Sequence, residues 1–361
     1  MKTAIAHHWL LSMRGGEKVL EAIVELFPEA DIFTLFYEPE AVSPFLRSRN
    51  IFPSFLNRIP ASSRIYPDLL PLYPFAVRAM DLSSYDLVIS SDASLVKGVR
   101  KRPGAMHICY CHSPPRYLWD MGEVYLENAG LVKRAMAGML TPWLKRWDYR
   151  AAQEVDGFIV NSDFVKERIS AYYHRDSVVI CPPVESFEVE SSESGDYYLW
   201  LGQLVPYKRA DLAVEAFTKA GKRLVIIGDG PERKNLEKKA GLQIEFLGWV
   251  PEERKKEYLS ACRAVVFPGT EDFGIVPLEA QMAGKPVIAY AKGGALETVI
   301  EETTGVFFNC QEPGSLIDAI TRFEKKEAEF STEAIRANAL RFKKENFQEA
   351  LKDYIQTIIP T

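Results

Sequence analysis

Long apolar runs, paired cysteines and an excess of charge of either sign are all missing from this 361-residue chain. No uninterrupted apolar stretch reaches the ~18–20 residues that a membrane span requires, so no spanning helix is expected. The five cysteines (Cys109, Cys111, Cys181, Cys262 and Cys310) are an odd number. Cys109-Tyr110-Cys111 has the wrong spacing for a C-x2-C zinc pair, and no second pair exists; buried, reduced thiols in a cytosolic protein are the expectation. Met1-Lys2-Thr3-Ala4-Ile5-Ala6 meets His7-His8 too soon for a secretory leader. A net charge of −5 argues against a global nucleic-acid binder. Both G-x-G-x-x-G and G-x4-G-K-[ST] are absent, so dinucleotide and P-loop readings lose support. No D-x-D pair occurs either, and no divalent metal is expected to be required.

What is present is an ordinary globular composition, 47% hydrophobic and 26% charged, over a length that favours two domains. Short β-branched runs alternate with amphipathic helical stretches along nearly the whole chain. That alternation predicts α/β architecture: two doubly wound parallel sheets. The first domain is placed at 1–183 and the second at 184–341, joined by the polar linker 186–196, S-F-E-V-E-S-S-E-S-G-D. The halves differ in charge: 21 Lys+Arg against 20 Asp+Glu in residues 1–180, and 23 against 29 in residues 181–361. Residues 43–80 stand apart. Six prolines there prevent one long helix, and five arginines face one aspartate among phenylalanines, tyrosines and leucines. That mixture suits the headgroup boundary of an anionic bilayer or a long lipid-linked acceptor; it also suits short helices packed on the first domain with solvated arginines. Lys97, Arg100, Lys101 and Arg102 form a basic run, read as a solvated edge.

The stretch Gly269–Gly284, G-T-E-D-F-G-I-V-P-L-E-A-Q-M-A-G, organises the rest. It follows the buried strand Ala264-Val265-Val266-Phe267, turns through glycines, and feeds a helix with Pro277 in its first turn and Gly284 as its stop. Backbone N–H groups left open at such a helix start favour phosphate. Glu271 and Glu279 would repel phosphate and instead suit sugar hydroxyls. An ordinary βα turn with two solvated acids has the same spacing. Lys208, just past another strand, is a natural phosphate neutraliser. Near the N-terminus, Arg14-Gly15-Gly16-Glu17-Lys18 opens a helix after a strand, a second phosphate-friendly turn. His112 follows the strand 106–111, at the end where open α/β sheets bind ligands; a lone histidine can equally be structural.

The E-x7-E spacing of Glu271 and Glu279 resembles that of retaining glycosyltransferases of family 4, which have the GT-B fold: two Rossmann-like domains facing a deep cleft. His112-Ser113-Pro114-Pro115-Arg116-Tyr117-Leu118-Trp119-Asp120 is similar to O-antigen mannosyltransferase-like members. The resemblance implies Glu271, His112 and Lys208 as catalytic residues. It implies Gly16, Gln203, Arg209, Gly230, Val250, Phe273, Gly274, Ile275, Val276 and Glu279 around the donor, with Glu279 on the ribose. Gly15, Glu17, Arg116, Tyr117 and Trp119 are then acceptor candidates. Lys292-Gly293-Gly294-Ala295-Leu296-Glu297 resembles the family's G-G-x-x-E segment. The family usually carries an arginine where this chain has Gln203, which can hydrogen-bond a phosphate but not neutralise it. Arg209 is the expected compensation. In GT-B folds the last helix commonly returns to the first domain, so residues 342–361 are expected to do so.

The expected activity is retaining transfer of a hexose, mannose from GDP-mannose first, to a lipid-linked or oligosaccharide acceptor. No metal or other cofactor is implied, the nucleotide-sugar being a co-substrate, and no nucleic-acid partner. The expected location is the cytoplasm, peripheral on the inner face of the cell membrane. A UDP-sugar donor, or a catalytically weak nucleotide-sugar-binding partner, is the alternative.

Overall fold

The computed structural model describes residues 1–126, 130–187 and 195–358, apart from the side chains at 124 and 125. Most of the expected linker at 186–196 therefore lies outside the described residues. Two compact units are present, Met1–Pro183 with Glu345–Thr361, and Val184–Lys344.

In the first unit, strands β1 (Thr3–His7), β2 (Asp31–Thr34), β3 (Ile51–Pro53), β4 (Leu87–Asp92), β5 (Met106–Cys111), β6 (Gly157–Val160) and β7 (Val178–Val179) form one sheet. Its order is β3-β2-β1-β4-β5-β6-β7, and every pair is parallel. Five consecutive buried residues in β1 and six in β4 are what a sheet covered on both faces demands. One face packs Val19, Leu20 and Ile23 of the helix Gly15–Leu26, together with Phe347, Leu351 and Ile355 of the helix Lys344–Ile358. The other carries Leu56, Tyr73 and Val77.

The proline-rich segment 43–80 is broken into short helical pieces, as its composition predicts, but it also holds the edge strand β3. Pro53 ends that strand, a position open to a residue with no ladder N–H. Three residues are too few for periodicity to register, so this strand escaped the sequence reading.

In the second unit, β8 (Tyr198–Leu201), β9 (Leu224–Ile227), β10 (Ile244–Gly248), β11 (Val265–Phe267), β12 (Val287–Tyr290) and β13 (Gly305–Phe308) form a parallel sheet ordered β10-β9-β8-β11-β12-β13. Counted within the unit this is 3-2-1-4-5-6, the doubly wound dinucleotide order. The last helix joins the first unit: Gln348 Nε2 donates to the Ala22 carbonyl at 3.1 Å. Its start is later than expected. Phe342 belongs to the second unit, where its ring lies 5.7 Å from that of Phe273 and its carbonyl accepts the Val184 N–H at 2.8 Å.

Lys97 contradicts the solvated-edge reading. It is fully buried, with Nζ 3.1 Å from Asp92 and in contact with Asp148 as well. Burial opposes its charge, but the two carboxylates hold the ammonium well above the usual lysine range. Asp148 also accepts from Trp119 Nε1 at 2.8 Å and Tyr173 Oη at 2.7 Å. This knot ties β4 to the helices Leu131–Gln153 and Asp163–Tyr173. Lys97→Met should leave two buried carboxylates without their cation, lowering stability by about 3–5 kcal/mol. Urea denaturation monitored by tryptophan fluorescence reads this; an unchanged midpoint would refute the role given to the pair.

Candidate donor and histidine sites at the two switch points

In an open parallel sheet, ligands gather beyond the strands' carboxyl ends where the strand order reverses. The second unit reverses between β8 and β11. Leaving β8, the chain passes Gly202 and Gln203 to Lys208; leaving β11, it passes Gly269 to Glu271. Lys208 Nζ meets Glu271 Oε1 at 2.9 Å, with both side chains mostly shielded from solvent. The sheet thus brings the two principal candidates together across 63 residues of sequence.

Close backbone approach builds this floor, where a Cβ on Gly269 would stand 2.8 Å from Lys208 Cα, and it continues past the end of β9. A Cβ on Gly228 would collide with the Gly202 carbonyl, and one on Gly230 with the Leu204 backbone. Gly230 is therefore required by packing, whatever it does for a nucleotide. Gly274 has φ +98°, which reverses the chain into the helix Ile275–Met282. The N–H groups at that helix start have no intrahelical acceptor. The Gly294 N–H donates to the Glu271 carbonyl at 3.0 Å, so the G-G segment braces the acidic loop.

Four other donor-site candidates are placed less simply. Phe273 and Val250 are buried core residues, leaving only backbone to face a ligand. Arg209 is turned towards Asp211, Nε to Oδ1 at 3.1 Å, rather than standing free as a replacement cation. Glu279 is 2.9 Å from Lys255, and Lys255 also pairs with Glu252 at 2.8 Å. Burial opposes the Lys255 charge, but Glu279 and Glu252 hold its pKa up. Lys255 was missed because a lysine in the charged run E-E-R-K-K-E reads as solvent-facing.

The first unit reverses between β1 and β4, and there the surprise is histidine. His7 Nδ1 and His112 Nε2 both reach Ser91 Oγ, at 3.0 and 2.8 Å, and His8 Nδ1 lies 3.3 Å from the Ser91 carbonyl. His7 Nε2 has no hydrogen-bond partner among the described residues and faces Glu17 Oε1 at 3.7 Å. One hydroxyl proton serves two imidazoles. A proton rather than a lone pair faces the Glu17 carboxylate only if His7 carries it on Nε2. Ser91 then donates to His7 Nδ1, His112 Nε2–H donates to Ser91, and His112 Nδ1 remains an acceptor. Sequence reading singled out His112 and passed over His7, His8 and Ser91, though the H-H pair at the end of β1 was visible.

Burial, with His8 and His7 adjacent, pushes His112 down to about 3. Burial and His7 push His8 down to about 4. Burial works against the Glu17 charge, yet the neighbouring His7 and His8 hold the carboxyl below its usual value. His7, His8 and Glu17 each offer one ligand atom within 4.8 Å of the others, the one potential metal cluster among the described residues.

Among the acceptor candidates, Glu17 is the one this geometry corrects. Glu17 is buried, and its Oε2 accepts the Arg14 N–H at 2.9 Å, so it caps its own helix instead of facing an acceptor. Trp119 spends its N–H on Asp148 and stacks on Tyr172, ring centroids 5.0 Å apart. Tyr117 Oη bonds Ser94 Oγ at 2.7 Å. Arg116 lies 3.8 Å from Met121 Sδ. Gly15 and Gly16 form the first turn of their helix; a Cβ on Gly16 would stand 3.8 Å from His8 and 3.9 Å from His112, so that glycine packs beside the two imidazoles.

Known proteins share the sequence families and the fold. Residues 182–341 match the family described as Glycosyl transferases group 1, and residues 13–186 match Glycosyltransferase Family 4. An uncharacterized glycosyltransferase of Methanocaldococcus jannaschii is 27% identical over 49% of this chain and 52% of its own length. Human alpha-1,3/1,6-mannosyltransferase ALG2 is 27% identical over 69% of this chain and 67% of its own. The chain thus spans about half of the first relative and two thirds of the second. Among solved structures, Anabaena HepE in complex with UDP superposes with a TM-score of 0.72 at 16% identity, covering 99% of this chain and 100% of that one. Sucrose-phosphate synthase from Thermosynechococcus elongatus reaches 0.74 at 19% identity, covering 99% of both chains. Those identities speak to fold.

A pH prediction follows from the histidines. His107, buried with Nε2 2.9 Å from Ser90 Oγ, is pushed down to about 4 by burial and Lys101. With His8 and His112 it makes three groups whose folded pKa lies below the unfolded value near 6.5. The unfolded chain then binds more protons, so stability rises with pH across the window between about 4 and 6.5 and is lost as pH falls through it. Urea midpoints measured from pH 7 to pH 5 should decline, and His107→Gln should flatten the decline. A flat wild-type profile would contradict the buried, neutral assignment.

Proposed function

This chain belongs to glycosyltransferase family 4, a GT-B enzyme family, and on that premise we propose that it transfers a hexose from a nucleoside diphosphate sugar with retention at the anomeric carbon. Mannose from GDP-mannose is the first donor, and a lipid-linked or oligosaccharide chain the acceptor. The observation that supports it most is the Lys208–Glu271 pair at the second unit's switch point, beside the helix that starts at Gly274. Likeness to a mannosyltransferase supports the sugar. The Anabaena neighbour's complex with UDP keeps a uridine donor as the alternative.

As the sugar–oxygen bond breaks, negative charge develops on the distal phosphate. Lys208 has three donors and spends one on Glu271. Two remain for that phosphate, joined by the N–H groups of Ile275 and Val276 at the helix start. Glu271, oriented by Lys208, accepts from sugar hydroxyls; Glu279, held by Lys255, accepts from the ribose. Gln203 adds a neutral hydrogen bond where charge is otherwise supplied. His112, kept neutral, offers Nδ1 as an acceptor to a donor-sugar hydroxyl. The acceptor hydroxyl attacks from the face the diphosphate leaves, and its proton passes to the departing phosphate oxygen. No protein base and no metal are required in this scheme. On this reading, residues 43–80 hold the chain at the inner membrane face. Among the described residues no helix is long and apolar enough to cross a bilayer.

Titration calorimetry of GDP, UDP and ADP, without and then with magnesium, tests donor and metal together. Tightest binding of GDP with no magnesium dependence is expected; a preference for UDP would replace the sugar, and no binding at all would overturn the catalytic reading. Lys208→Met should lower kcat by about 10²–10³-fold, as loss of one charge-stabilising donor does. Glu279→Ala should instead weaken nucleotide binding. Product NMR showing an inverted anomeric centre would discard the same-face route.

A further inference from the structure

We infer that the first unit carries a binding site for a phosphate-headed lipid, formed by a basic pocket beside Trp143 and an apolar stripe along the helix Leu131–Gln153. The inference rests on the proposed lipid-linked acceptor and locates where such a lipid is held.

The pocket encloses about 810 Å³. Four cations line it, Arg78, Arg100, Lys101 and Arg150, against one carboxylate, Glu154. Two are already neutralised: Arg78 makes a bidentate pair with Glu154 at 2.6 and 2.7 Å, and Lys101 pairs with Asp156. Arg100 and Arg150 are exposed and have no carboxylate partner among the described residues. Two open guanidiniums at one concavity suit a doubly charged phosphate or a diphosphate.

The wall beside them is aromatic. Phe75 and Trp143 stack with centroids 6.1 Å apart, and Phe75 is 61% exposed. From Trp143 the helix continues towards its N-terminus with Met139, Met136 and Val132. These fall at spacings of four, three and four residues, one face of a helix. All are exposed, Val132 at 75% and Met139 at 73%. The stripe is about 17 Å long at 1.5 Å per residue. An exposed apolar stripe of that length, ending at two arginines without a carboxylate partner among the described residues, matches a hydrocarbon tail leading to an anionic head. A soluble phosphate ester would leave the stripe wet, and a neutral lipid would leave the arginines unmatched. Phe75 lies in the segment 43–80, so aromatic residues from two parts of the chain meet at this one place.

Co-flotation of the full chain with phosphatidylcholine vesicles, alone or containing undecaprenyl phosphate, is the test. Retention at least tenfold higher on the phosphate-bearing vesicles is expected. Arg100→Glu with Arg150→Glu should remove that gain, and Met136→Glu with Met139→Glu should remove it independently, while nucleotide binding stays at the wild-type level and reports an intact fold. If the arginine variant alone loses binding, the pocket holds phosphate without a tail and the inference fails. Equal retention on neutral vesicles also overturns it. Lipid binding without nucleotide binding would defeat the donor reading but not this one.

Discussion

The reversal of strand order in each parallel sheet is the constraint on which the rest of this molecule depends. Where neighbouring strands send their connections to opposite faces, a crevice opens that no helix can fill. In the second unit the crevice at β8 and β11 is floored by glycine contacts so tight that a single methyl group would displace backbone. In the first, the crevice at β1 and β4 is filled with imidazoles around one serine hydroxyl. The same topological feature is thus used twice, once to gather a lysine–glutamate pair beside a helix start and once to hold neutral hydrogen-bonding groups.

Charge is managed differently in the two places. Around Lys208 and Lys255 each ammonium is matched to a carboxylate, and these pairs keep part of their surface open to solvent. Around Lys97 the ions are fully buried and pinned by tryptophan and tyrosine donors, which serves geometry rather than ligand exchange. The histidines lie between these extremes: burial keeps His8 and His112 uncharged at neutral pH, so they can accept and donate hydrogen bonds without placing positive charge in the crevice.

Much of the fold was legible because parallel strands buried on both faces are short apolar runs punctuated by glycine. Glu271, Lys208 and His112 were picked out because each lies in a loop after such a run, and Glu279 by its spacing from Glu271. Lys97 was read as a solvated edge from the basic run around it, Lys255 was passed over in a charged run, and Trp119 was taken as an acceptor candidate by resemblance. Each meets a partner brought in from elsewhere in the fold: Asp148 is 51 residues from Lys97, and Glu279 is 24 from Lys255. Side-chain pairing over such separations leaves no mark in local spacing.

The sequence by itself determined the class of the protein: two α/β units, glycine turns after strands, and acidic and basic side chains at strand ends. Those follow from local rules of burial, turn geometry and helix capping, which act within a few residues. Only the tertiary structure decided that Lys208 faces Glu271 and that three histidines share Ser91. These depend on strand order and register, which bring distant loops within hydrogen-bond reach, and hydrogen bonds fade over distances shorter than one residue's span.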